Sequence, residues 1–109
     1  MSLNGSTGTT YNAAGTFYPI TGAAGGGQQS TQPSAWLGIM GTDWSGVMDI
    51  YRPNKTTTTN YTLQSSASIY QNWIGGYDSN TAASTGFTFT PSIYTFSGGT
   101  ITVFGYRKA

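Results

Sequence analysis

The sequence contains no cysteine, no histidine and no glutamate. Without cysteine there is no disulfide, no thiolate nucleophile and no thiolate-ligated zinc or iron–sulfur centre. Without histidine the chain lacks both a proton shuttle near neutral pH and the commonest metal ligand. Acids are limited to Asp43, Asp49 and Asp78, and bases to Arg52, Lys55, Arg107 and Lys108. Four scattered cations are too few to track a phosphate backbone, so no nucleic-acid partner is expected. Nor does any apolar run approach the roughly 20 residues of a membrane-spanning helix, so no membrane insertion is expected. The beginning, MSLNGSTG, has neither a basic nor an apolar signal-peptide region, and Met1-Ser2-Leu3 is compatible with a cloning leader.

Charged residues make up only 6% of the 109 positions, against roughly a quarter in an ordinary domain. Nineteen threonines, twelve serines, sixteen glycines and eight tyrosines take their place. The length suits one domain with one modest core. Residues 1–14 read as a flexible N-terminal segment and 15–109 as a single β-sandwich domain. Within it, 21–34 (Thr21-Gly22-Ala23-Ala24-Gly25-Gly26-Gly27-Gln28-Gln29-Ser30 and on to Ser34) reads as a long Gly/Gln-rich loop.

Strand candidates are Gly15–Ile20, Trp36–Met40, Gly46–Arg52, Asn60–Leu63, Ser68–Ile74, Gly86–Thr90 and Thr100–Tyr106. They are rich in Val, Ile, Thr and aromatics and are separated by turn chemistry such as Gly75-Gly76 and Gly98-Gly99. No window carries a helical period. Pro19 lacks a ladder donor and predicts an edge strand or a bulge. Alternation places Met48 and Ile50 on one face of their strand, with Val47, Asp49 and Tyr51 on the other. The expected core is Phe17, Trp36, Leu37, Ile39, Met48, Ile50, Leu63, Ile69, Trp73, Phe87, Phe89, Phe96, Ile101 and Val103. The expected class is therefore all-β, an antiparallel sandwich, jelly-roll-like, with a Gly/Thr-rich N-terminal arm. So thin a core predicts self-association into a homo-oligomer.

Two segments are candidates for ligand contact. Asp43-Trp44-Ser45-Gly46 sets an indole beside a carboxylate and a hydroxyl, which could stack on a sugar ring and bond its hydroxyls. The same residues also fit a plain turn, with Asp43 bonded locally and Trp44 covering the core edge. Trp73-Ile74-Gly75-Gly76-Tyr77-Asp78-Ser79-Asn80 offers a second set, giving Trp44, Tyr77, Asp78 and Asp43 as possible glycan contacts. Calcium at Asp78 and Asn80 would need more carboxylates than one, so neither a metal nor any other cofactor is expected. A glycosidase would need two carboxyl groups about 5–9.5 Å apart, and only three aspartates exist to provide them. The chain is not expected to be an enzyme.

One stretch resembles a known family. Gly86-Phe87-Thr88-Phe89-Thr90-Pro91-Ser92, followed by Phe96-Ser97-Gly98-Gly99-Thr100-Ile101-Thr102-Val103-Phe104-Gly105-Tyr106-Arg107-Lys108, is similar to the C-terminal ending of bacteriophage tail-fibre and virion surface proteins. Met48-Asp49-Ile50-Tyr51-Arg52 resembles an earlier strand of such modules. The likeness covers the last 25 or so residues well and the middle weakly. It implies an oligomeric β-sandwich displayed on a virion, made in the host cytoplasm and contacting other virion proteins, with cell-surface glycan as a further partner. It implies no catalytic residue. The alternative expectation is a free-standing carbohydrate-binding module that uses exposed Trp and Tyr.

Overall fold

A computed structural model describes residues 1–4, 6, 8–38, 43–53, 56–92 and 95–105. The described residues are all-β, with seven strands in two antiparallel sheets and no helix, consistent with a β-sandwich. Strands β2 (Tyr11–Pro19), β3 (Gly25–Gln32), β4 (Ser45–Tyr51), β5 (Thr59–Ala67) and β6 (Tyr70–Asp78) form a five-stranded sheet in the order β3-β2-β6-β5-β4. The two short strands β1 (Ser2–Leu3) and β7 (Phe87–Thr88) pair as Ser2↔Thr88 and Leu3↔Phe87.

Period-two alternation assigns one face of the large sheet to the core. In β5, Thr59, Tyr61, Leu63, Ser65 and Ala67 are buried while the residues between them face outward. In β6 the inward set is Asn72, Ile74 and Asp78, and in β2 it begins with Tyr11 and Ala13. Met1, Leu3, Ala35 and Leu37 pack onto this inner face, with Trp36, Met48, Ile50, Phe87 and Phe89 partly buried around them.

Two buried phenols fasten this cover. The Tyr11 hydroxyl accepts a hydrogen bond from the Leu3 amide at 2.6 Å, and the Tyr61 hydroxyl donates to the Trp36 carbonyl at 3.3 Å. Burial, and after it the neighbouring Tyr11, pushes the Tyr61 phenol above its ordinary pKa, which keeps it a donor. The Met1 amine donates to the Ala35 carbonyl at 2.9 Å, and burial lowers its pKa from 8.0 to about 6.

Several expectations are corrected. Residues 1–14 are not a loose arm, because Met1 and Leu3 enter the core and Tyr11 begins β2. Residues 21–34 are not one loop, because 25–32 form β3. Its glycines admit rings: a Cβ at Gly27 would stand 2.7 Å from the Trp36 indole. A strand whose inward positions are glycine shows no hydrophobic period, so composition alone reads it as a linker.

Strand β2 is interior, not an edge. Pro19 is its last residue and lies beyond the β3 ladder, which ends at Phe17↔Gly25, so the missing N–H is not needed there. Gly75-Gly76 is the middle of β6, not a turn. The turn falls at Ser68-Ile69, closed by Ala67↔Tyr70 without Gly, Asn or Pro, which hid it.

Leu37 and Leu63 are buried as expected, but Ile69, Trp73, Phe96, Ile101 and Val103 are exposed. Ile69 lies in the turn, and Trp73 has the outward parity of β6. Residues 36–38 are not a strand but cover the core, and Ile39 and Met40 fall outside the described residues. Among the described residues the expected final strand is likewise not formed. Thr100–Gly105 is irregular and exposed, and Tyr106 onward falls outside the described residues. Residues 1–3, 35–37, Phe87 and Phe89 already pack on the inner face, and among the described residues Ile101 and Val103 are not part of that core.

Candidate functional site

The outer face of the five-stranded sheet carries the other half of every alternation, and register sets its side chains in rows. One row runs Gly26, Thr16, Trp73, Gln64, Val47 across β3, β2, β6, β5 and β4. The next runs Gln28, Ala14, Gly75, Thr62, Asp49, and the one after it Asn12, Tyr77, Asn60, Tyr51. Tyr18, in β2, stands on the far side of the Trp73 row. Its ring meets the Trp73 indole edge to face, with centroids 5.3 Å apart and planes at 80°.

Four aromatic side chains are therefore held in the open: Tyr18 at 45% exposure, Trp73 at 46%, Tyr77 at 42% and Tyr51 at 48%. Between the Trp73 and Tyr77 rows the sheet has only Ala14 and Gly75 at its centre, so the middle row forms a trough. On the Tyr77 side of this trough a depression of about 550 Å³ is lined by Asn12, Ala14, Gln28, Ser30, Gly75 and Tyr77, among others, and Trp73 does not line it. A smaller one of about 310 Å³ adjoins Thr16, Tyr18 and Trp73.

Adjacent glycines in β6 serve opposite purposes. At Gly76, on the inner face, a Cβ would stand 2.5 Å from the Tyr61 ring, so glycine is what lets that ring lie on the strand. At Gly75, on the outer face, a Cβ would meet nothing within 4 Å. Packing explains the first glycine but not the second, whose effect is to leave the trough floor bare.

The four residues expected to form a glycan contact are not brought together. Trp44 packs against the inner core, and its buried indole nitrogen has no hydrogen-bond partner among the described residues. Tyr77 faces outward, on the opposite side of the sheet. Asp78 is buried on the inner face, where its carboxylate accepts from the Asn80 amide at 3.0 Å in a local turn. Asp43 is exposed ahead of β4. Asp49 and Asp78 point to opposite faces of the sheet, so these two carboxylates cannot flank one bond. Among the described residues no group of three acidic side chains is placed to hold a metal.

Sequence reasoning singled out Tyr77 but not the equally exposed Tyr18, and it assigned Trp73 to the core. The parity of β6 would have exposed Trp73 had the Gly-Gly pair been read as strand. Compared with family models, curated proteins and solved structures, the chain matches none of them.

Proposed function

We propose that this chain is a non-enzymatic structural module of a bacteriophage virion, a tail or particle-surface component that works by assembling with copies of itself and with other virion proteins. The observation that carries the assembly reading is the segment after β7. Phe96, Ile101, Val103 and Phe104 are 58%, 65%, 70% and 83% exposed, in a stretch whose Thr/Ile/Thr/Val alternation suits a strand. An apolar, β-prone segment with no strand partner among the described residues is suited to pair with a neighbour's sheet. Edges exist for it: among the described residues β3 and β4 each end the large sheet with one side unpaired. The virion assignment rests on the resemblance of the Phe96–Lys108 ending. A particle built of repeated copies is where such a chain would meet its partners.

Sedimentation velocity tests the assembly. The full chain at tens of micromolar should sediment as an oligomer. The double variant Ile101→Asp with Val103→Asp, altered only at exposed positions, should sediment as a folded monomer. A full chain that stays monomeric and folded at that concentration overturns the assembly reading. Genes beside this one tell on the virion assignment: tail or baseplate neighbours support it, and polysaccharide hydrolases overturn it.

A further inference from the structure

We propose that the outer trough of the large sheet, between Trp73 and Tyr77, is a binding site for a neutral pyranose oligosaccharide. This goes beyond assembly and does not depend on it, because a single chain carries the whole face.

Three features of the face select this chemistry. The first is the polar side chain on either side of each of the two rings. Trp73 is flanked across strands by Thr16 and Gln64, and Tyr77 by Asn12 and Asn60. A sugar needs this combination: its C–H face lies on a ring while its hydroxyls meet amides and alcohols at the rim. Interfaces between proteins also favour Tyr and Trp, and the sedimentation arm below separates that occupant from a sugar.

The second feature is charge. None of the described residues lining either depression is charged, and the one charge in the trough row, Asp49 on β4, is an acid. A nucleic acid could stack its bases on the same rings, but its phosphates would find no lysine or arginine there. An acidic glycan would lack a counter-charge for the same reason.

The third feature is the floor. Trp73 and Tyr77 lie four residues apart on one strand, roughly 14 Å at about 3.4 Å per residue. That length suits a few linked sugar rings rather than one. Ala14 and Gly75 keep the intervening row low, and the Tyr18 ring edge holds the Trp73 indole in place beside it.

Isothermal titration calorimetry of the full chain with cellohexaose, maltohexaose, xylohexaose and chitohexaose tests the site, using heparin hexasaccharide as the charged comparison. At least one neutral oligosaccharide should bind, and heparin hexasaccharide should not. Trp73→Ala should weaken binding at least tenfold. Gly75→Thr should do the same by filling the trough while the thermal midpoint stays level or rises, because the added side chain meets no protein atom at its Cβ. Trp44→Phe, on the other side of the sheet, should leave affinity unchanged. The proposal is overturned if none of the four neutral oligosaccharides binds, or if binding survives both Trp73→Ala and Gly75→Thr. It is equally overturned if those two variants change sedimentation but not titration, which would make the face a contact between copies. The Ile101→Asp/Val103→Asp chain should bind as the unaltered chain does, which separates failure of this site from failure of assembly.

Discussion

The two faces of the five-stranded sheet are built from the same residue types and do opposite things with them. On the inner face Tyr11 and Tyr61 are 2% exposed, and their hydroxyls are spent on backbone groups of the covering segments. On the outer face Tyr18 and Tyr77 sit on neighbouring strands, yet their rings remain open to solvent. The difference comes from parity and from what else the chain can lay over each face. Residues 1–4 and 35–38 go inside, and no described segment covers the Trp73–Tyr77 trough. A low-charge, tyrosine-rich composition is thus compatible with a clear division between holding and presenting.

The contrast breaks most severely at the inner centre. Leu63, 1% exposed, lies in the core cluster, and Leu63→Ala should cost about 2–5 kcal/mol, read as a fall in the urea midpoint. Asn72 comes next: it is buried, and its amide donates to the Ser65 hydroxyl at 3.2 Å. Asn72→Ala should cost about 1–3 kcal/mol, because a buried acceptor loses its donor.

A smaller effect comes from pH. The Met1 amine has a folded pKa of about 6 against an ordinary 8.0, lowered by burial. As pH falls from 8 to 6 the unfolded chain takes up a proton that the folded chain refuses. Stability should therefore be full above pH 8, decline through that window and level off below 6, by at most about 1 kcal/mol given the solvent that still reaches the amine. Urea midpoints at pH 5.5, 7 and 8.5 read it, and a midpoint highest at 5.5 would refute it. On the outer face, Trp73→Ala should lower stability by less than about 1 kcal/mol, mostly through the lost Tyr18 ring contact. A large loss there would mean that Trp73 is structural after all.

Alternating segments of the large sheet were legible in the sequence, the alternating Thr100–Tyr106 was not borne out as a strand among the described residues, and glycine-rich strands were missed. Met48 and Ile50 face the core and Val47 faces out, as alternation predicts. Strands β4 and β5 were placed within a few residues or less at their starts, because side chains there carry the pattern. Strand β3 and the second half of β6 were invisible. Their inward glycines exist to admit the Trp36 and Tyr61 rings, and a ring donated from a distant segment leaves no local signal. The trough was illegible for a related reason. It is defined by register between β2 and β6, a pairing that no stretch of either strand announces.

That same pairing has a kinetic consequence. Strands β4, β5 and β6 follow one another as a meander, and β2 with β3 is a hairpin, so each unit can form from neighbours in the chain. Joining them requires β2 to find β6 across 51 positions at Pro19↔Tyr70 (70 − 19) and 67 at Tyr11↔Asp78 (78 − 11). Loop closure over such spans is the slow part of folding. Within the five-stranded sheet the β2–β6 ladder should therefore be the last to zip, after the meander has gained protection. Pulse-labelled amide exchange during refolding would show Thr62 and Leu63 protected before Ala14 and Thr16, and the reverse order would rule this out. The trough is bounded by that ladder, so it would be completed only when the whole sheet is.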